Sequence, residues 1–238
     1  DVEDVLREVV ERSRRLVEEH KRISEKVIRD TKRILDEHRE LTERVIRRAK
    51  KLVDDARRTK TDEEVLKRFA DLVRELLELH RRVKKKLDEL NERLLRAHRT
   101  LLERLERLNR ELLKLLRERN KVSEEIIRKH EELLKKSRRE SEELIKAHET
   151  MLEESERRSK KILDEVERLL REIEKKARKK PKEEVLKDAV RVLEEILRKL
   201  NELLERHLKL NEESLERMNR ILTRHVKLNK ESADDARR

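Results

Sequence analysis

Along residues 13–42 apolar positions recur with helical spacing, and polar residues stand among them on the same face. Stepping about 100° per residue from His20, Leu16, Ile23, Val27, Ile34 and Leu41 fall within about 60° of it, together with Ser13, Ser24, Thr31, His38 and Thr42. This period predicts an amphipathic helix whose inward face carries hydroxyls and imidazoles as well as aliphatic side chains. The block is written twice, since Ser13, His20 and Ser24 return 18 residues later as Thr31, His38 and Thr42. Eighteen residues make five whole turns. A seven-residue repeat supercoils to the left and an eleven-residue repeat to the right, so their sum predicts straight helices with little supercoil. His80 and His98, His130 and His148, and His207 and His225 repeat the spacing and complete the set of eight His.

Turn and capping signals divide the pattern into helices over about 2–58, 62–118, 121–178 and 181–236, expected to form one unit over 1–238. Acidic Asp1, Glu3 and Asp4 suit the start of the first helix, and Arg57 and Arg58 its end. Lys60 falls in the first turn, and Thr61-Asp62-Glu63-Glu64 reads as a capping box. Arg178-Lys179-Lys180-Pro181 closes the third helix and opens the fourth. The middle turn has no Gly; Asn120, between Arg119 and Lys121, is the expected N-cap.

Register supports that turn. In an antiparallel hairpin, residues at one level share a constant index sum. His20 with His98 and His38 with His80 share one; Asn109 with His130, Asn91 with His148, His98 with Ser141 and His80 with Ser159 share another. A third joins His130 with His225, His148 with His207, Ser141 with Ser214 and Ser123 with Ser232. The fold class predicted is all-α, a long, nearly untwisted antiparallel four-helix bundle. Its expected polar levels are Asn109-His130-His225, His20-His98-Ser141-Ser214, Asn91-His148-His207 and His38-His80-Ser159.

Composition narrows the chemistry. The chain is 53% charged with no Gly, no Cys, one Pro and Phe69 as its only aromatic ring besides the imidazoles, and its turns are too few for a sheet. A net charge of +12 raises nucleic acid as a partner, yet 69 basic residues are interleaved with 57 acidic ones, so none is expected. No apolar run of spanning length and no signal peptide is present. Neutral imidazole, amide and hydroxyl groups can close hydrogen bonds among themselves without a charge, and in doing so they favour one register over another.

Zinc wants three or four convergent ligands, whereas each level offers two His with neutral groups. A di-iron bundle wants Glu three residues before His; here those positions hold Val17, Leu35, Leu77, Leu95, Ile127, Ile145, Leu204 and Leu222. No carboxylate on the core face orients an imidazole toward Ser141 or Ser159, so catalysis is not expected. Neither a metal, a cofactor nor a small-molecule substrate is predicted. Met151 and Met218 read as core filler, and Thr100, Thr150 and Thr223 as surface.

Two helices carry extra apolar columns: Leu72, Leu79, Leu90, Ala97, Leu108 and Leu115 in the second, and Val190, Leu197, Leu208, Leu215 and Val226 in the fourth. They fit either the broad diagonal pair of an ordinary four-helix bundle or an interface for self-association through helices 2 and 4.

Leu-Asn at Leu90-Asn91, Leu108-Asn109, Leu200-Asn201, Leu210-Asn211 and Leu228-Asn229, Arg-Ala-His at residues 96–98, and the saturated Glu/Lys/Arg surface accompany the 18-residue repeat. In these features the whole chain resembles computationally designed helical bundles with buried hydrogen-bond networks. The resemblance implies a structural, self-assembling protein with no natural activity or compartment. Designed relatives with His in their networks are pH-responsive assemblies, which implies as the alternative a switch opened by acid. Some act on membranes after acidification, but this chain lacks an aromatic-rich amphipathic helix, so membrane interaction is not expected at neutral pH.

Overall fold

The computed structural model describes residues 2–55, 62–118, 123–176, 178–179 and 182–237. Four helices follow in chain order: α1 (Val2–Asp55), α2 (Asp62–Glu118), α3 (Glu124–Lys176) and α4 (Lys182–Arg237). The fold is an all-α four-helix bundle, with no strand among the described residues. Asp1, Arg57, Arg58, Lys60, Thr61 of the capping box, the Asn120 cap with its Arg119 and Lys121 neighbours, and Pro181 lie outside the described residues.

Helix α3 starts at Glu124, three residues later than the sequence reading placed it. Ser123 is the reason: its Oγ accepts from the Ile126 N–H at 3.4 Å and its carbonyl from the Ile127 N–H at 3.3 Å, the bonds of an N-cap. Glu124 and Glu125 then sit in the first turn, where the helix dipole favours carboxylates. At the other end α3 stops at Lys176, whose carbonyl takes the Lys179 N–H at 3.0 Å.

Packing divides the chain into two compact units, each drawing on all four helices. The first comprises Asp1–Arg29, Leu90–Thr150 and Lys209–Arg238; the second comprises Asp30–Glu89 and Met151–Leu208. The second unit contains a large apolar cluster, in which Phe69, Val73, Ala49, Leu186 and Leu193 are sealed from solvent. The first unit is built differently. Its apolar side chains form smaller clusters, among them Leu6, Val9, Leu112, Leu116 and Ala233; Leu16, Leu101, Leu105, Leu108 and Leu222; and Leu102, Leu144, Met218 and Ile221. Burying each such Leu or Ile contributes about 1.5–3 kcal/mol.

The inward polar stripe of α1 is buried, with Ser13, His20, Ser24 and Thr31 all at 0% exposure. Leu41, at the edge of the same stripe, instead faces solvent at 39% because α1 offers a narrow contact face. In the two apolar columns, Leu72, Leu108, Val190 and Leu197 are buried, whereas Leu79, Leu90, Ala97, Leu115, Leu208, Leu215 and Val226 are half-buried. Much of each column is therefore consumed inside the units. Surface ion pairs such as Arg39–Glu205 and Lys50–Glu194 join α1 to α4, but exposed pairs of this kind contribute 1 kcal/mol or less. No helix among the described residues is long and apolar enough to cross a membrane.

Candidate functional site: a buried histidine, serine and asparagine network

In the first unit His20 Nε2 lies 2.6 Å from His98 Nδ1, with the rings stacked at 4.7 Å. A single proton serves that bond, so one neutral ring donates and the other accepts. Ser24 Oγ stands 3.3 Å from His20 Nε2, and the His98 ring lies 5.9 Å from that of His148. His148 Nδ1 is 2.7 Å from Asn91 Oδ1, which only accepts; the proton therefore sits on Nδ1, and Nε2 faces Ser214 Oγ.

His225 has the opposite tautomer. Asn109 Nδ2 donates to its Nδ1, so its Nε2–H donates to Ser137 Oγ at 2.7 Å. Ser232 Oγ donates to the Leu228 carbonyl at 2.8 Å, which leaves it to accept from His130 Nε2–H. Asn229 Nδ2 likewise donates to Ser13 Oγ at 2.8 Å, while Ser13 donates to the Val9 carbonyl.

In the second unit His80 Nε2 meets Ser159 Oγ at 3.4 Å and His207 Nε2 meets Ser155 Oγ at 3.1 Å. His38 lies edge-on to His80 with ring centroids 6.4 Å apart, and the Asn201 side chain of α4 stands within reach of its ring as a hydrogen-bond partner. Lys84, largely covered, places Nζ 2.5 Å from Glu156 and 3.5 Å from Asp88.

The structure brings His20 to His98, His38 beside His80, Asn91 to His148, and His80 to Ser159, which is the register expected for α1 with α2 and for α2 with α3. Between α3 and α4 it differs. His130 pairs with Ser232 and not His225, His225 with Ser137, His148 with Ser214 and not His207, and His207 with Ser155. Each α4 residue has moved by one heptad relative to α3. The physical reason is pairing count: the expected register would set Ser137 and Ser155 against Met218 and Leu200, whereas the observed one gives each of these hydroxyls, and each α3 and α4 imidazole, a polar partner. Ser141 is thereby removed from its expected level, donating within its own helix to the Ser137 carbonyl at 2.5 Å. Of the expected level Asn109-His130-His225, only Asn109 and His225 meet.

Six network members were missing from the expected levels: Ser13, Ser24, Ser137, Ser155, Ser232 and Asn229. Ser137 and Ser155 stand seven residues beyond His130 and His148, a spacing that was legible as a second register.

Desolvation is the leading cause that lowers the imidazole pKa values. His20, His80, His130, His207 and His225 fall to about 4. His98 falls to about 2, driven by burial and then by the neighbouring His20 and His148. His38 is lowered by burial, with the Asn201 side chain acting against the shift. The hydrogen-bond partners described for the imidazoles are Ser, Asn and His, so the site stores neutral donors and acceptors. Among the described residues no group of three or more His, Cys, Asp or Glu is placed to hold a metal ion. No family model, curated protein or solved structure matches the chain.

Proposed function

We propose that this chain is a structural helical protein of de novo design, self-assembling and without a natural substrate, whose buried polar pairs specify how its helices dock. The observation that carries this reading is the set of four imidazole–hydroxyl pairs between α3 and α4, all in one register. A slip of α3 along α4 by one heptad would set Ser137 and Ser155 against Met218 and Leu200, and other slips would leave more of these groups facing aliphatic neighbours, at about 1–3 kcal/mol for each unpaired polar group. Leu against Leu would tolerate the slip. Self-association through helices 2 and 4 is drawn from their half-buried columns, Leu79, Leu90, Ala97 and Leu115 with Leu208, Leu215 and Val226. Catalysis, nucleic-acid binding and membrane insertion have no part in this reading. Replacing each α3–α4 pair by two apolar residues tests it: the variant should stay helical while the hairpin populates more than one register, seen as duplicated amide resonances. A single set of resonances in the same register would refute it.

The second reading, an acid-opened switch, is favoured by one observation, the burial of imidazoles with pKa values pushed to about 4. Size-exclusion chromatography with light scattering at pH 7.5 and 5 separates the two readings. A mass that falls on acidification supports the switch, and a constant mass leaves the structural role alone.

A further inference from the structure

The two copies of the His–His level between α1 and α2 have the same spacing in sequence and different geometry. In the first unit the rings of His20 and His98 stack at 4.7 Å and share a proton across 2.6 Å. In the second unit the rings of His38 and His80 stand 6.4 Å apart, edge-on at 68°. Both are buried, at 1% exposure; His80 Nδ1 has no hydrogen-bond partner, and the Asn201 side chain engages one of the two His38 ring nitrogens, which leaves the other open. His80 Nε2 is taken by Ser159.

From this pairing we infer that His38 and His80 form a two-coordinate site for a soft monovalent cation, copper(I) or silver(I). With metal–imidazole bonds of about 2 Å, two rings joined in line by one ion have centroids about 6 Å apart, close to the observed spacing. A linear arrangement leaves the rings free to twist about its axis, so the interplanar angle is no obstacle. Zinc does not fit, because it wants three or four ligands and, among the described residues, no third His, Cys, Asp or Glu joins the pair. The remaining neighbours tolerate a cation. Asn201 of α4 stands beside His38, Ser159 of α3 beside His80, and the Lys84 ammonium, the nearby positive charge, is paired with Glu156 and Asp88. A groove between α1 and α4, lined by Thr42 one turn beyond His38, by Ile46, Leu197 and Asn201 and by charged residues of both signs, begins beside the pair. The His20–His98 level has no such opening, since its facing nitrogens already bond each other.

Titration of the whole chain with silver(I) nitrate in chloride-free buffer at pH 7.5 tests the site. Binding should saturate at one equivalent, and the side-chain 15N resonances of His38 and His80 should move together while those of His20 stay in place. His38→Asn and His80→Asn should each weaken binding at least tenfold, and His20→Asn should leave it unchanged. Absence of saturable binding, binding that survives both substitutions, as thioether capture at Met151 or Met218 would, or unmoved His38 and His80 resonances in the unsubstituted protein would overturn the inference.

Discussion

Lowering the pH from 7.5 to 5 charges imidazoles in the unfolded chain well before those in the folded one. The unfolded reference is about 6.5, and the folded values of His20, His80, His130, His207 and His225 are about 4. A depressed folded pKa means that stability is fully present above 6.5 and drains away as pH falls toward and through 4. At pH 5 such a group is protonated in the unfolded chain and almost neutral in the fold, a difference of about 2 kcal/mol. Five groups give roughly 10 kcal/mol, comparable to the whole stability of an ordinary domain. His98 adds to this, although it does not titrate independently of His20. The assay is guanidinium unfolding followed by circular dichroism at pH 7.5, 6 and 5, beside a variant with all eight His changed to Asn. The parent should lose several kcal/mol more than the variant, most of it between pH 6.5 and 5. Equal losses, or a loss confined to pH below 4, would refute the reasoning.

Three further outcomes are expected. Ser137→Ala leaves His225 Nε2–H unpaired in the core and should cost about 1–3 kcal/mol by chemical denaturation, whereas adding His225→Leu together with Asn109→Leu, which removes every member of that contact, should recover most of it. Phe69→Ala empties a fully buried ring site in the second unit and should cost about 3–5 kcal/mol in the same assay. Leu79, Leu90, Leu208 and Leu215 changed together to Glu should yield a folded monomer by light scattering; Leu108 and Leu197 are unsuited to this test because they are buried within the units.

The fold was legible because hydrophobic period and capping chemistry agree over long stretches. The inward position of Ser13, His20, Ser24 and Thr31 followed from angle alone. Leu41 failed because a position about 60° from a stripe's centre is decided by the width of the neighbouring helix, which angle does not report. Asn120, the expected cap of α3, lies outside the described residues, while Ser123 makes capping bonds at the start of the described helix and gains a further tie where its N–H donates to Asp235 Oδ2 at 3.3 Å. Most network members were visible in the sequence, but their pairing between α3 and α4 was not. The index sums matched His to His and left Ser137 and Ser155 out of the levels, and it is the pairing of those two hydroxyls that separates the observed register from the expected one.

The heptad ambiguity of α3 and α4 has a kinetic consequence. Sliding one helix along the other by seven residues, about 10 Å, converts the observed set of polar contacts into a partial second one, with His130 against His225 and His148 against His207 but Ser137 and Ser155 against Met218 and Leu200. A refolding hairpin that zips in this alternative alignment finds aliphatic layers in place and must part them to escape. Refolding at pH 7.5 should therefore be biphasic, the slow phase being escape from the slipped hairpin. In mild acid the slipped form juxtaposes charged imidazoles, so its population, and with it the slow amplitude, should shrink.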